Sequence, residues 1–297
     1  MSIRFFTDTA SVLLLGLTSL AAASDNIRIP AGTSHDGHLE TRNGSIHVED
    51  NATIEGSLDS RNGRIETGSS VTAGDVRTRN GAIELGGDGR YGRIESRNGR
   101  IQLGDGSSVE TIESRNGSIR IGASSRTAAL DSRNGGIAIG ADAVVDGAVS
   151  TRNGSVSMAS GSRVTGRITT RNGSVMLDGA TAERGIQTLA GDIILENASR
   201  SGGDLLIEIT EENARRNGGF FGFGGSTSWP EAGDIRILAG SEVDGSVILL
   251  LAADYDEELP VVEIASGSVV SGDVRVDSRV ELIIEGEIGG EVERVAP

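Results

Sequence analysis

The aliphatic residues of this chain fall into short alternating runs. Ile46/Val48, Ile83/Leu85, Ile101/Leu103, Ile119/Ile121, Ile137/Ile139, Val156/Met158 and Val175/Leu177 each stand one residue apart. Period two marks a strand with one buried face. A third aliphatic often follows six residues later, at Ile54, Val109, Val145 and Val164. A fourth stands at Leu58, Ile94, Ile112, Leu130, Val149 and Ile168. The set returns every 18 or 19 residues, in step with Arg-Asn-Gly at Arg42, Arg61, Arg79, Arg97, Arg115, Arg133, Arg152 and Arg171. "LAG" at Leu189–Gly191 is a degenerate copy. A fixed period of this size signals a repeat architecture.

One unit buries about four aliphatics, worth roughly 1.5–3 kcal/mol each. Ordering its backbone costs about 1–2 kcal/mol per residue. A unit cannot stand alone, whereas stacked units cover one another's core and hydrogen bonds. The pattern therefore predicts an all-β, single-stranded parallel β-helix with one rung per repeat. "DNIRIPAGTSHDGHLE" (Asp25–Glu40) supplies a first rung, with Ile27, Ile29 and Leu39 inside. "GDIRILAGSEVDGSV" (Gly233–Val247), "VEIASGSVVSGDV" (Val262–Val274) and "LIIEGEIGGEV" (Leu282–Val292) supply the last. The count is about 12–13 rungs of 18–19 residues, a rod of roughly 55–60 Å. The strict hexapeptide spacing of left-handed coils is absent, which favours a right-handed one. The rival fold is an antiparallel meander, because Asn-Gly is also a hairpin signal. The variable far end of each unit argues against it.

Alternation orients the rest of a rung. In "IESRN" (Ile112–Asn116), Ile112, Ser114 and Asn116 are expected to point inward and Glu113 and Arg115 outward. Gly117 is expected to make the corner, where positive φ costs glycine little. Asn43, Asn62, Asn80, Asn98, Asn116, Asn134, Asn153 and Asn172 then form a structural ladder, each amide bonded to its equivalents above and below. The preceding Ser or Thr forms a second ladder, because a buried polar group needs a partner in every rung. Arginines about 4.8 Å apart repel by about 1 kcal/mol per neighbouring pair in water. Glu40, Asp59, Glu95, Glu113 and Asp131, two residues before the arginine, are expected to interleave with it as a charge lattice. Arg77, Ser150 and Thr169 interrupt that acidic series.

Composition agrees with a thin core: 44 of 297 residues are glycine and only 3% are aromatic. All 27 basic residues are arginine, and there is no cysteine, which excludes disulfides and thiolate chemistry. Residues 1–23 read as an export signal, with Arg4, the apolar "SVLLLGLTSL" (Ser11–Leu20) and "AAA" at Ala21–Ala23. The apolar run is too short to span a bilayer. The organisation expected is a signal peptide at 1–23, the Arg-Asn-Gly β-helix at 24–195, a Gly/aromatic insertion at 196–232 and acidic rungs at 233–297. The mature protein is expected in the periplasm or at the cell surface, with no transmembrane segment.

The strings "GSRVTGRI" (Gly161–Ile168), "GSEVDGSV" (Gly240–Val247) and "GSVVSGDV" (Gly267–Val274) resemble bactofilins, the polymer-forming bacterial cytoskeletal proteins. The "RNGSI" register is also similar to that of bacterial putative-adhesin β-strand repeat proteins. The bactofilin resemblance implies a β-helix that assembles end to end without nucleotide. The export signal, the extra rungs and the inserted loop depart from bactofilins and bear on a cytoskeletal role, not on the fold.

Candidate chemistry is sparse. "SHDGHLETRNGSIHVED" (Ser34–Asp50) holds His35, His38 and His47 beside acids. The spacing matches no ligand motif and two of the three fall on outward positions, so exposed histidines are expected and no metal or cofactor. Between Val149 and Gly191 the compensating acids thin out around Arg152, Arg163, Arg167 and Arg171, a candidate anion-binding flank for an acidic glycan or other polyanion. The insertion carries Phe220, Phe221, Phe223 and Trp229, four of the six aromatics beyond residue 23. They are candidates for partner or glycan contact, or for packing along the rod. From Asn197 onward there are 20 acids and 7 arginines, net −13, against 23 and 20, net −3, before it. No aromatics interleave with the arginines, which speaks against nucleic acid. No paired carboxylates or Ser-His-Asp arrangement mark a catalytic cleft. The expectation is a non-enzymatic scaffold that self-associates end to end. The alternatives are an adhesin or glycan-binding module and, less favoured, a polysaccharide lyase or hydrolase.

Overall fold

The computed structural model describes residues 21–22, 26–212 and 229–297. Over these the chain is a parallel β-solenoid of thirteen turns. Each turn lays down three short strands, so the cross-section has three faces. Face 1 stacks thirteen strands in chain order, from Ile27–Ile29 through Ile101–Leu103 to Glu281–Ile284. Face 2 is built from two-residue strands such as Thr53–Ile54 and Val144–Val145. Face 3 runs from Leu39–Thr41 to Val292–Val295. Ala21–Ala22 pair in parallel with the first of these strands. Otherwise the export signal expected at 1–23 lies outside the described residues.

Successive repeats superpose. Ile46 pairs with Ile65, Ile65 with Ile83 and Ile83 with Ile101, all in parallel register. The meander is thereby excluded. The expected inward set is buried: Ile101, Leu103, Val109 and Ile112 show at most 5% of their surface. One rung admits an aromatic. Tyr91 lies inside because Thr67 replaces the aliphatic that Val48 and Leu85 supply in the neighbouring rungs. Their hydroxyls meet at 2.6 Å. Burial pushes the Tyr91 phenol up to about 12.

The corners depart from the sequence-based expectation. The Arg-Asn-Gly glycines, at the corner from face 3 to face 1, do not adopt positive φ. They are glycine because the turns touch there: a Cβ on Gly99 would stand 1.7 Å from the Gly81 carbonyl oxygen, and one on Gly117 2.0 Å from that of Gly99. Positive φ belongs to the corner from face 1 to face 2, at Asn51, Ser70, Asp88, Gly106, Ser124, Asp142 and Gly161, one per turn. Asn, Asp and Gly tolerate that region best. The third corner absorbs length variation. In two 18-residue turns faces 2 and 3 share one seven-residue strand, Ser108–Ser114 and Arg126–Ser132, and in two others the strand already divides, at Gly74 and Gly92. In 19-residue turns Gly56, Gly147 or Gly166 is added and the strand divides.

The insertion starts later than expected. The range 196–232 is corrected at its front, because Arg200–Ser201 and Leu205–Glu208 complete a regular turn. The chain leaves the solenoid only after Ile209 and rejoins it at Ala232–Ile237. It leaves again over 251–260, between Val247–Leu250 and Val261–Ile264. Both excursions join face 3 to face 1, so they occupy the corner that carries Arg-Asn-Gly in earlier turns.

Candidate functional site

The repeated corner explains its four residues one by one. The Ser or Thr ends a face-3 strand pointing inward and is buried: Ser60, Thr78, Ser96 and Ser114 are 5–6% exposed. Its hydroxyl accepts the N–H of the glycine three residues on, as in Gly63 to Ser60 at 2.9 Å. It also donates to the glycine carbonyl of the turn before, as in Ser60 to Gly44 at 3.1 Å and Thr78 to Gly63 at 3.3 Å. The expected second ladder thus exists, but it runs through backbone glycines instead of hydroxyl to hydroxyl.

The asparagine ladder is continuous. Each Nδ2 donates to the Oδ1 of the preceding turn at 2.7–2.8 Å, from Asn62 to Asn43 through Asn172 to Asn153. Its position differs from expectation. Asn43 to Asn153 are exposed and Asn172 is half-buried, where alternation pointed Asn116 inward. The strand stops at the Ser or Thr, so period two no longer governs the asparagine. A further internal hydroxyl series escaped the sequence reading. Ser107, Ser125, Ser162, Ser199 and Ser241 are fully buried just after the positive-φ corner. Ser107 and Ser125 donate to Gly86 and Gly104 carbonyls of the turn before. The repeated "GS" and "SS" pairs of Gly106–Ser107 and Ser124–Ser125 were the available signal.

Outside this frame the arginines form a column, one per turn. Arg42, Arg61, Arg79, Arg97, Arg115 and Arg133 line a shallow trough of about 1040 Å³ with Glu40, Asp59, Glu95, Glu113 and Asp131. A second trough of about 530 Å³ continues along Arg133, Arg152 and Arg171; Ser150, Thr169 and Gln187 take the acids' register position there, and Asp131 and Glu208 also line it. The charge lattice expected between neighbours does not close into ion pairs. Among the described residues Arg42, Arg61, Arg79, Arg97, Arg115, Arg133 and Arg152 make neither an ion pair nor a side-chain hydrogen bond. Most other arginines do pair: Arg28 with Glu49, Arg64 and Arg100 with Glu84, Arg126 with Asp146 and Arg200 with Asp244. The hydrogen bond from Arg28 holds the Glu49 carboxyl below its ordinary value. Glu95 turns to Arg77 at 3.7 Å and Arg93 at 3.6 Å, away from the column.

The four proposed anion-binding arginines do not share one site. Arg152 and Arg171 stand one turn apart in the column. Arg163 lies on face 2, paired with Glu183, and Arg167 precedes the face-3 strand Ile168–Thr170. Of the histidines, His38 is exposed and bonds Ser57 at 3.0 Å, while His47 lies 3.7 Å from Glu66. Among the described residues no group of three His, Asp or Glu is placed to hold a metal. No described helix is long and apolar enough to cross a membrane.

Phe220, Phe221 and Phe223 lie outside the described residues. Trp229 is committed locally. Its indole N–H donates to the Asp254 carbonyl at 3.1 Å, and its ring sits 6.4 Å from that of Tyr255 at 51°. Tyr255 is buried; its hydroxyl accepts from the Ala232 N–H at 2.9 Å and reaches the Glu258 carbonyl at 3.2 Å. Burial pushes the Tyr255 phenol upward. Arg279 closes the cluster by pairing with buried Asp277 at 2.9 Å and donating to the Ala252 carbonyl at 2.8 Å. Burial alone would raise the Asp277 carboxyl, but side-chain and backbone hydrogen bonds from Arg279 outweigh it and hold Asp277 below its ordinary value. The cluster straps the 251–260 excursion to the rod.

The molecule is therefore a parallel β-solenoid with an externally laddered corner and a single-file arginine column. Comparison with protein-family models, curated proteins and solved structures returns no match.

Proposed function

We propose that this protein is a non-enzymatic structural scaffold, a stiff rod that works by self-association. The observation that carries the reading is the uniformity of its surface. The same asparagine, arginine and hydroxyl columns recur in register through eight successive turns, so recognition is distributed along the molecule. This agrees with the end-to-end assembly that the bactofilin resemblance implies. Electron microscopy and light scattering of the purified chain across concentration test the scaffold. Rods longer than about 60 Å that grow with concentration are expected, and a monomer throughout refutes it.

A second reading, a polyanion- or glycan-binding module, is favoured by the stretch Arg133, Arg152 and Arg171, where Ser150 and Thr169 replace the acids. Salt-sensitive binding to an acidic but not a neutral glycan, abolished by Arg152→Glu, is its signature.

A further inference from the structure

We propose that face 3 pairs with face 3 of a second copy, the two rods lying side by side and parallel, each arginine column against the other's carboxylate column. This deepens the scaffold reading and rests on it.

Glu40 and Arg42 lie two residues apart on the outer side of one strand end, with Thr41 turned inward between them. The same triplet recurs as Asp59–Arg61, Glu95–Arg97, Glu113–Arg115 and Asp131–Arg133. Face 3 strands pair in register, so the triplets stack into two parallel columns of opposite sign. Among the described residues the arginines of these triplets have no partner within the molecule, and the carboxylate column is only partly satisfied: Asp59 accepts from the Ser57 hydroxyl and Glu95 pairs with Arg77 and Arg93. The arginines named above have no ion-pair partner, and Glu40, Glu113 and Asp131 have none either among the described residues. Like charges one turn apart repel along each column, and a surface of opposite charge at the same repeat relieves both.

Only one partner geometry supplies this at five of the six turns from Glu40 to Asp131, Arg77 holding the acid position in the third. A two-fold axis parallel to the rods exchanges left and right, placing acid opposite arginine on both sides of the interface. A two-fold axis across the rods places acid opposite acid. The repeat of both surfaces is the same turn spacing, so the match holds in step over six turns with one interruption. Arg77 would face arginine, but Asp75 in its own chain already pairs with it. The five carboxylates that share the trough disfavour a polyanion along these turns. A chain of net charge −16 repels its copies elsewhere, so pairing is confined to the complementary strip.

The test uses the full chain in two opposite-sign forms. Arg61→Glu/Arg115→Glu/Arg133→Glu sets acid opposite acid at three of the five matched turns, and Asp59→Arg/Glu113→Arg/Asp131→Arg sets arginine opposite arginine at the same three. Circular dichroism establishes that each is folded. In sedimentation equilibrium at about 50 mM salt the wild type is expected to dimerise, and at about 500 mM to dissociate. Each variant alone is expected to pair at least about 100-fold more weakly. An equimolar mixture should recover the dimer, and the six-fold variant with the columns exchanged should pair with itself. A spin label at Asp36→Cys should report same-end proximity in the dimer. Wild-type rods one molecule wide, with no pairing in the mixture, overturn the lateral surface and leave the scaffold reading standing. A monomer under all conditions overturns both, and separation of the labels by a rod length overturns the parallel geometry.

Discussion

The turns from Ile46 to Thr188 and those after Ala232 share one cross-section and hold it with different chemistry. In the first group the corner between faces 3 and 1 is always Ser/Thr-Arg-Asn-Gly or its degenerate copy, knitted by hydroxyl-to-glycine and amide-to-amide bonds. In the second the same corner is the 251–260 excursion and then the short turn 278–280, held together by Asp277, Arg279, Tyr255 and Trp229. The core is equally tight in both: Ile83 and Ile237 are both fully buried. In-register aliphatics and backbone pairing therefore suffice for the solenoid. The ladder adds corners of constant length, and with them an arginine column of constant pitch. The column ends at Arg171, because Leu189 takes the arginine's place at the next corner, and beyond it the corner lengthens.

The comparison breaks most severely at the strap. Asp277→Ala leaves the Arg279 guanidinium without its carboxylate, an expected loss of about 3 kcal/mol, held to the low end because the Arg279 side chain is 25% exposed. Hydrogen exchange should show Val261–Ile264 losing protection while Ile101–Leu103 keeps it. Acid separates the regions too. The folded-state pKa of Asp277 lies below 3.8, so its contribution is complete above that value and is lost as pH falls through the folded value. Asp277→Asn should remove that acid limb.

Next in size is glycine at the touching corner. Gly99→Ala places a methyl group 1.7 Å from a backbone oxygen, for an expected loss of about 2–3 kcal/mol in denaturant titration. Gly267→Ala, in the acidic rungs, meets no atom within 4 Å and bears only the strain of φ +80°, about 1 kcal/mol. Equal losses would show that turn-to-turn contact does not set the glycine. Asn116→Ala opens two ladder bonds at an exposed corner and should cost about 1 kcal/mol. Asn116→Asp should cost more, since a carboxylate cannot donate to Asn98.

The smallest effect at neutral pH is expected for Tyr91→Phe. Thr67 still accepts from the Gly86 N–H, so the loss is about 0.5–1 kcal/mol. Its value lies in the alkaline limb. A phenol raised from 10.0 to about 12 keeps its contribution below the unfolded value and loses it as pH rises toward the folded one. Tyr91→Phe should flatten that loss, leaving the part due to Tyr255.

Much of the fold was legible because the signals were local and repeated. Ile101, Leu103, Val109 and Ile112 declare their direction by alternation, and eight copies of the corner exclude coincidence. The Asn116 side chain was misassigned because alternation was carried one step beyond the strand end. The Gly117 reading failed because a glycine chosen for close contact and one chosen for positive φ look alike in sequence. The turn at Arg200–Glu208 was passed over because it lacks the corner motif that marks its predecessors. The charge lattice was expected from spacing alone, yet spacing does not say that Glu95 turns to Arg93 and Arg77.

The sequence by itself determined the coil, its period, the inward aliphatics and the existence of the amide ladder. The tertiary structure alone decided which glycines touch, which serines bridge turns, that the excursions share the arginine corner, and that Arg42, Arg61, Arg79, Arg97, Arg115, Arg133 and Arg152 stand unpaired among the described residues. Those properties depend on what the turns above and below place beside each residue, and such neighbours are distant along the chain, whereas the period and the ladder were legible because the same motif recurs in sequence.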